Sequence, residues 1–238
     1  MYQFCLGTWE GELDTSRSLP AYLQISEMLI REVGAGHLRR GQKLAPERDM
    51  AEELGVSVGT LRKALLDLET KGVLERRQGS GNYIKSEAAA GSVYGFLRLE
   101  LKQGGGLPTA DVLSVDFLPK PDGAPAFGSA RHGNRIRRLR KLGGVIAAVE
   151  EIWLDGRASP AMQADDLHDS LYLHYKDQLG IRITNVEDKI TLGQVPNWSP
   201  NPFPHRAGST VGFIERLSWA GDREAIEFSR TWFDTDKV

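Results

Sequence analysis

The feature that most constrains the fold is a capped helix followed at once by a short hairpin, within residues 57–85. Ser57 is a natural N-cap for a helix from about 58 to 71, and Gly72 ends that helix. One face carries an apolar stripe at i, i+3, i+4 and i+7, formed by Leu61, Ala64, Leu65 and Leu68. Two short strands, 73–76 and 82–84, then flank the turn QGSG.

Two further helices are predicted before this unit. Ser18 caps the first, which opens at Leu19-Pro20 and extends to about Val33. Its apolar residues recur at near-helical spacing, at Leu23, Ile25, Met28, Leu29 and Val33. Residues 34–42 form a turn region, and the second helix starts at Pro46 and ends at Gly55. Helix, helix, turn, helix, hairpin is the order of a winged helix-turn-helix.

The third helix leaves a polar and cationic face, because its apolar stripe is needed for the core. Thr60, Arg62 and Lys63 lie on that face near the helix N-terminus, where such groups read base edges and phosphates in a major groove. Residues 57–85 carry six positive and three negative charges, a local +3 in a chain of net charge −2. This local patch predicts a DNA-binding surface, with an ordinary solvated basic face as the alternative reading of these cations.

The glycine-rich stretch RRQGSGNYI, residues 76–84, admits two interpretations. A nucleotide phosphate loop needs a preceding strand, a following helix and the full glycine spacing, whereas the strand-like Asn82-Tyr83-Ile84 follows here. The stretch is therefore better explained as the tip of a hairpin, with Arg76 and Arg77 placed to approach DNA phosphates.

Composition limits the remaining choices. The 238 residues are enough for two domains, and Cys5, the only cysteine, allows no intrachain disulfide, which fits a cytoplasmic protein. No apolar run approaches the ~20 residues of a membrane span, so no membrane partner is expected. The expected organisation is a lead-in segment at 1–17, a first domain at 18–84, a linker at 85–92 and a second domain at 93–238.

The first domain resembles the DNA-binding domain of GntR-type bacterial transcription regulators. The resemblance covers Leu19 to Ile84 without a gap and rests on APERDMAEELGVS, TLRKAL and KGVLERRQGSG. It implies that Arg48 reaches the phosphate backbone or a base, and that Ser57, Thr60, Arg62 and Lys63 occupy the recognition helix. It also implies a wing tip near the minor groove, formed by Gly79, Ser80 and Gly81. Val58 stands where the family often has an arginine, so the operator is expected to differ from the common family pattern.

The second domain resembles the UTRA effector domain of the HutC branch. NRIRRLRKLGGVIAAVEEIWL reads as two paired strands around Gly143-Gly144, SLYLHYKDQLGIRI as a capped helix leading to a strand, and residues 212–233 as a hairpin. The expected fold class is α+β, an N-terminal winged helix-turn-helix joined to a chorismate-lyase-like α/β domain built on an antiparallel sheet.

The same resemblance implies a set of effector-binding residues. Arg138 and Arg140 would pair bidentately with an anionic group of a small metabolite. Glu150 and Glu227 would accept hydrogen bonds from the effector, and Ser170 and Tyr172 would add donors at a helix start. Phe233 stands where a tyrosine is common, and the loop that often holds a phosphate is not evident, which weakens the case for an amino-sugar phosphate.

Structural interpretations compete with several of these roles. Arg138 and Arg140 also suit ion pairs with Glu150 or Glu151, and Ser170 suits a plain N-cap. Asp165, Asp166, His168 and Asp169 read better as a polar helix entrance than as a cation site. The tryptophans 153, 198, 219 and 232 are core or pocket wall, and the proline-rich residues 195–205 form a loop over a pocket or at an interface.

The sequence thus predicts a one-component, effector-responsive transcription regulator, more in keeping with a repressor than an activator. It is expected to be a homodimer on palindromic half-sites of double-stranded DNA, with no cofactor, no metal and no catalytic residues. An enzyme domain of chorismate-lyase type fused to a DNA-binding module is the alternative. The chain is too short for a regulator fused to an aminotransferase-like domain.

Overall fold

The computed structural model describes residues 19–85, 92–221 and 224–238, and the chain divides into two compact units. The first unit is Met1–Leu107 with Leu142–Gly144, and the second is Pro108–Lys141 with Val145–Val238. The expected lead-in 1–17, the Ser18 cap and linker residues 86–91 lie outside the described residues.

The first unit contains three helices and a two-stranded hairpin, in the predicted order. Helix α1 spans Ala21–Gly34, α2 spans Glu47–Glu53 and α3 spans Val58–Thr70. Strands β1 (Leu74–Arg77) and β2 (Gly81–Ile84) pair antiparallel, with Leu74 opposite Ile84. The winged helix-turn-helix arrangement is confirmed.

The apolar stripe of α3 forms the centre of this unit. Leu61, Ala64, Leu65 and Leu68 are all fully buried, and they pack with Ile25, Met28 and Leu29 of α1. Burying an aliphatic side chain of this size stabilises the fold by about 1.5–3 kcal/mol, so the stripe fixes α3 against α1. Ser57 begins α3 as predicted, because its Oγ accepts the N–H of Thr60 at 3.1 Å.

The second unit is built on a six-stranded sheet. Its strands are β3 (Pro108–Pro119), β4 (His132–Leu142), β5 (Val145–Asp155), β6 (Asn185–Gln194), β7 (Thr210–Trp219) and β8 (Ala225–Phe233). They lie in the order β3-β4-β5-β8-β7-β6, and the β5–β8, β8–β7 and β7–β6 pairs are antiparallel. A short 3-10 helix (Ala164–Asp166) precedes helix α4 (Leu171–Leu179). Both predicted strand pairs are confirmed.

The two faces of this sheet differ in character. Strand alternation sends Arg138, Arg140 and Glu150 to one face, called here the polar face, and Leu139 and Val149 to the other. On the opposite face lie two apolar clusters. They contain Leu139, Val149, Val195, Phe203, Val211 and Trp232 in one, and Phe127, Trp153, Ala225 and Phe228 in the other.

The proline-rich loop packs on the apolar side. Trp198 meets Trp232 edge-on with ring centroids 5.7 Å apart, and Phe203 is buried beside Val149. This loop therefore completes the core on the face opposite Arg138 and does not cover the polar face. Trp153 and Trp232 are core residues, and Trp198 and Trp219 pack against the same clusters.

Within the described residues, no helix has the length and apolarity needed to cross a membrane. The same residues hold no group of three or more His, Cys, Asp or Glu side chains arranged to bind a metal ion. Asp169 instead uses its Oδ1 to accept the N–H of Ala110 at 2.8 Å, which ties the start of α4 to β3.

Candidate functional site

The outer face of α3 presents polar and cationic groups to solvent. Ser57, Arg62 and Lys63 are exposed and Thr60 is half-buried. The Ser57 and Thr60 hydroxyls lie 2.9 Å apart, so each orients the other at the helix N-terminus. Lys63 makes no ion pair with any described residue, which leaves its ammonium available to a phosphate.

Glu47 partly neutralises this face. Its carboxylate accepts the Arg62 Nε at 2.7 Å and lies 3.9 Å from Nη2 of Arg76. The hydrogen bond from Arg62 holds the pKa of Glu47 below its ordinary value. Exposed pairs of this kind contribute about 0–1 kcal/mol, so DNA phosphates can replace Glu47 as the partner of either arginine at small cost. Arg48, the next residue on α2, is exposed and has no ion-pair partner among the described residues.

The hairpin tip is shaped by its glycines. Gly79 and Gly81 have φ of 71° and 121°, so both turn in a region that L side chains avoid. The Arg77 guanidinium lies over the Tyr83 ring at 4.2 Å, and the Ser80 hydroxyl is 2.8 Å from the Tyr83 hydroxyl. Tyr83 therefore holds both Arg77 and the exposed Ser80 in place at the tip.

Lys43 is a cation that the sequence interpretation missed. It forms an isolated bridge with Tyr83, and a side chain at Gly81 would lie 3.1 Å from its Cε. Lys43 lies in the turn before α2, and only the fold brings it to the wing. The structure thus adds a fourth cationic side chain to Arg62, Lys63 and Arg77 on the elements predicted to meet DNA.

A buried ion triad occupies the polar face of the second unit. Arg138 donates to Glu150 Oε2 through Nε at 3.1 Å and Nη2 at 2.7 Å. Arg140 donates to the same carboxylate, through Nε to Oε1 at 3.2 Å and Nη2 to Oε2 at 3.1 Å. The three residues are 4%, 3% and 6% exposed, so two guanidinium groups share one carboxylate away from water. Glu151 pairs instead with Arg137 on the other face.

The charges of this triad do not cancel. Burial by itself would raise the pKa of Glu150, but Arg140 and Arg138 lower it to about 2. Burial lowers the pKa of Arg138, with the charge of Arg140 adding to that effect and Glu150 opposing it. Both arginines also donate to the carbonyl of Asp169, at 3.2 Å and 3.4 Å. The triad holds two positive charges against one negative charge, an excess that a bound anion would balance.

The start of α4 adjoins the triad through Asp169. Ser170 is buried and caps α4, with its Oγ accepting the N–H of Leu173 at 3.4 Å. Helix N-termini favour anions because their first N–H groups point outward. The structure thus shows the capping role of Ser170 and places that helix terminus beside the two arginines.

A second polar cluster surrounds Glu227. Its Oε1 accepts the Ser218 hydroxyl at 2.9 Å and the Tyr172 hydroxyl at 3.0 Å, whereas its buried Oε2 has no hydrogen-bond partner within the described residues. Burial raises the pKa of Glu227, and it also raises the pKa values of Tyr172 and Tyr175. The Tyr175 hydroxyl interacts electrostatically with both Glu227 and Arg138 but makes no hydrogen bond of good geometry. It connects the cluster to the triad.

Arg216 extends this cluster and was missed by sequence reasoning. It forms a bidentate pair with Asp188 on β6, at 2.6 Å and 2.7 Å, and burial is outweighed by this pairing, which raises the pKa of Arg216. The signal was present, because Arg216 alternates with Ser218 on the strand that faces Glu227. Phe233 pairs with Gly212, where a side chain would overlap its ring, so it closes one end of the polar face.

Family models match both parts of the chain. The model for bacterial regulatory proteins of the gntR family matches residues 21–84, and the UTRA domain model matches residues 103–238. The second match alone covers more than half of the chain. The protein belongs to the GntR family and carries a UTRA domain. Both family resemblances drawn from the sequence are confirmed.

Relatives of this GntR protein are transcriptional regulators. It is 55% identical over 92% of its length, and 94% of the relative, to the HTH-type transcriptional regulator SmoD of Agrobacterium fabrum. It is 23% identical, over 92% of both chains, to the HTH-type transcriptional repressor NagR of Bacillus subtilis. The solved structure of the possible transcriptional regulator YydK from Bacillus subtilis has a TM-score of 0.51 at 19% identity and covers 92% of this chain and 96% of its own, a likeness of fold. The GntR protein is a transcriptional regulator with a DNA-binding domain and an effector-binding domain.

Proposed function

We propose that this protein is a homodimeric repressor that is released from a palindromic operator by a small anionic metabolite. The α3 face of Thr60, Arg62 and Lys63 reads the major groove, and the wing at residues 79–81 approaches the minor groove. Arg48, Arg76 and Arg77 contact phosphates. Repression is supported by the relative named as a repressor, and a two-fold protein matches two half-sites.

The observation that carries the effector proposal is the uncompensated charge of the buried triad. Two guanidinium groups against one carboxylate leave a positive excess where water cannot screen it, and Glu227 favours its neutral form nearby. Arg138 and Arg140 supply bidentate donors, and the α4 terminus at Ser170 adds a favourable potential. Tyr172, Glu227 and Phe233 then orient the body of the metabolite.

The ion-pair interpretation and the effector interpretation are compatible. Glu150 holds Arg138 and Arg140 in place, and the remaining donors of the guanidinium groups bind the anion. The protein has no catalytic role in this proposal, since its relatives act as regulators. It works in the cytoplasm, where the bacterial chromosome lies.

A ligand screen with a charge-balanced variant tests the effector site. Small anionic metabolites are screened by thermal shift, because a ligand of the native state raises its unfolding temperature. The triple variant Arg138→Met, Arg140→Met, Glu150→Gln removes the triad without leaving a buried unpaired charge. We expect hits on the wild type to be lost in this variant, while its affinity for operator DNA persists.

The matched control is Lys141→Met, which removes an exposed cation from the same strand. It should keep every hit. A metabolite that stabilises the triple variant as much as the wild type, or that still releases it from DNA in a shift assay, contradicts the site.

A further inference from the structure

Residues 92–107, called here the strap, follow the linker and belong to the same compact unit as the DNA-binding helices. Leu99, Leu101 and Leu107 of the strap are buried. Arg31 of α1 donates through Nη2 to the Leu99 carbonyl at 2.9 Å. The strap is thus packed and hydrogen-bonded onto the DNA-binding unit, although the family model for the DNA-binding domain ends at residue 84.

Glu27 is the principal anchor of the strap. This carboxylate on α1 is fully buried, and it accepts the Ser92 hydroxyl at 2.6 Å and the Val93 N–H at 3.2 Å. It also accepts Lys71 Nζ, at the end of α3, at 2.7 Å. A buried carboxylate costs free energy unless every lone pair is used, so α1, α3 and the strap are held by one side chain.

A run of three glycines continues the strap. Gly104, Gly105 and Gly106 all have positive φ. A side chain at Gly105 would overlap Glu32 Oε1 of α1, so the backbone lies directly against that helix. A side chain at Gly106 would lie 3.1 Å from the backbone N of Gly143. Only glycine therefore allows the strap to touch α1 and the β4–β5 turn within three residues.

The β4–β5 turn gives the strap a second attachment. Gly143 donates its N–H to the Leu107 carbonyl at 2.9 Å, and residues 142–144 belong to the first unit with the strap. Strand β4, which ends at Leu142, carries Arg138 and Arg140. Two residues beyond the strap, the Thr109 carbonyl accepts Arg140 Nη1 at 3.5 Å. Both routes along the chain from the strap end in the triad within a few residues.

We propose that the strap transmits the state of the triad to helix α1, with Gly106–Gly143 as its contact at the triad end and Glu27–Ser92 as its contact at the DNA-binding end. An anion that draws on Arg140 alters β4 and the start of β3, and the strap converts this into a change at α1. The inference rests on the proposed effector site, because it assigns that site its regulatory route.

A double-mutant cycle on DNA affinity tests the strap without any effector. The DNA is a duplex selected by the wild-type protein from a random-sequence pool. Arg140→Met perturbs the triad end, and Ser92→Ala removes one anchor hydroxyl at the other end. Independent distant sites add within about 0.3–0.5 kcal/mol, roughly a twofold change in Kd. We expect the pair to depart from additivity by more than threefold in Kd.

The matched pair of glycine variants isolates the contact at the triad end. Gly106→Ala and Gly144→Ala both place alanine at positive φ, 83° and 80°, but a side chain at Gly144 meets no atom within 4 Å. In hydrogen exchange, Arg140→Met should change protection of the Val93 amide in the wild-type background and with Gly144→Ala. It should leave that amide unchanged with Gly106→Ala.

Additive affinities in the cycle, or a Val93 amide that responds equally in both glycine backgrounds, overturn the proposal. If Ser92→Ala does not fold, Glu27→Gln replaces it in the cycle with the same expectation. These outcomes are separate from failure of the effector site, which is seen as metabolite hits that survive loss of the triad.

Discussion

Replacing Glu150 with glutamine should destabilise the UTRA domain and change how its stability depends on pH. Glu150→Gln keeps the shape of the side chain but leaves Arg138 and Arg140 buried without their carboxylate. Breaking a buried ion pair from one side costs about 3–5 kcal/mol. The pKa of Glu150 gives a consistent figure, because lowering it from 4.5 to about 2 corresponds to about 3 kcal/mol at neutral pH.

The sign of the pH effect follows from the lowered pKa. A carboxyl whose pKa is lower in the folded state stabilises the protein above its unfolded pKa, and the stabilisation disappears as the pH falls through the folded value. The difference in unfolding free energy between wild type and Glu150→Gln should therefore be largest above about pH 5. It should shrink to about 1 kcal/mol near pH 3, where the wild-type carboxyl begins to be protonated.

Urea unfolding followed by tryptophan fluorescence measures this difference. Four of the five tryptophans lie at 153, 198, 219 and 232, so the signal reports mainly on the UTRA domain. Asp111→Asn, which breaks the exposed pair with Lys141, is the control and should cost at most about 1 kcal/mol. A Glu150→Gln protein within 1 kcal/mol of wild type at pH 7, or a difference that stays constant down to pH 3, would refute the reasoning.

Two further substitutions test separate parts of the molecule. Lys63→Ala should reduce the slope of log affinity against log salt by about 0.9 per DNA-bound subunit, since one phosphate contact is lost, whereas exposed Lys189→Ala should leave the slope unchanged in the same titration. Ser170→Ala should lower the free energy of urea unfolding by about 1 kcal/mol through loss of the α4 cap, and an unchanged value would show that the cap contributes nothing.

Local patterns were enough to predict most of the fold. The stripe of Leu61 and Leu65 and the Ser57 cap follow from spacing within one helix, and the Gly143-Gly144 turn follows from two flanking strand patterns. These features depend on residues close in the chain, where periodicity and capping chemistry act directly.

Features that depend on long-range pairing were not predictable in the same way. The pairing of Arg216 with Asp188 needs the β6–β7 register, and the position of Lys43 needs the bridge to Tyr83. The proline-rich loop could not be assigned to a face, because its hydrophobic residues have no period. Trp198 and Phe203 are placed by the strands beneath them, which are distant in sequence.

The separation of the two sheet faces bears on how such a regulator can evolve. The two apolar clusters on the face opposite Arg138 are completed by the proline-rich loop and do not include the polar face. Adjacent positions in one strand, such as Leu139 and Arg140, therefore answer to different selective demands. Substitutions on the polar face can change which metabolite is recognised while those clusters keep their packing, so a new specificity can arise without redesign of the scaffold.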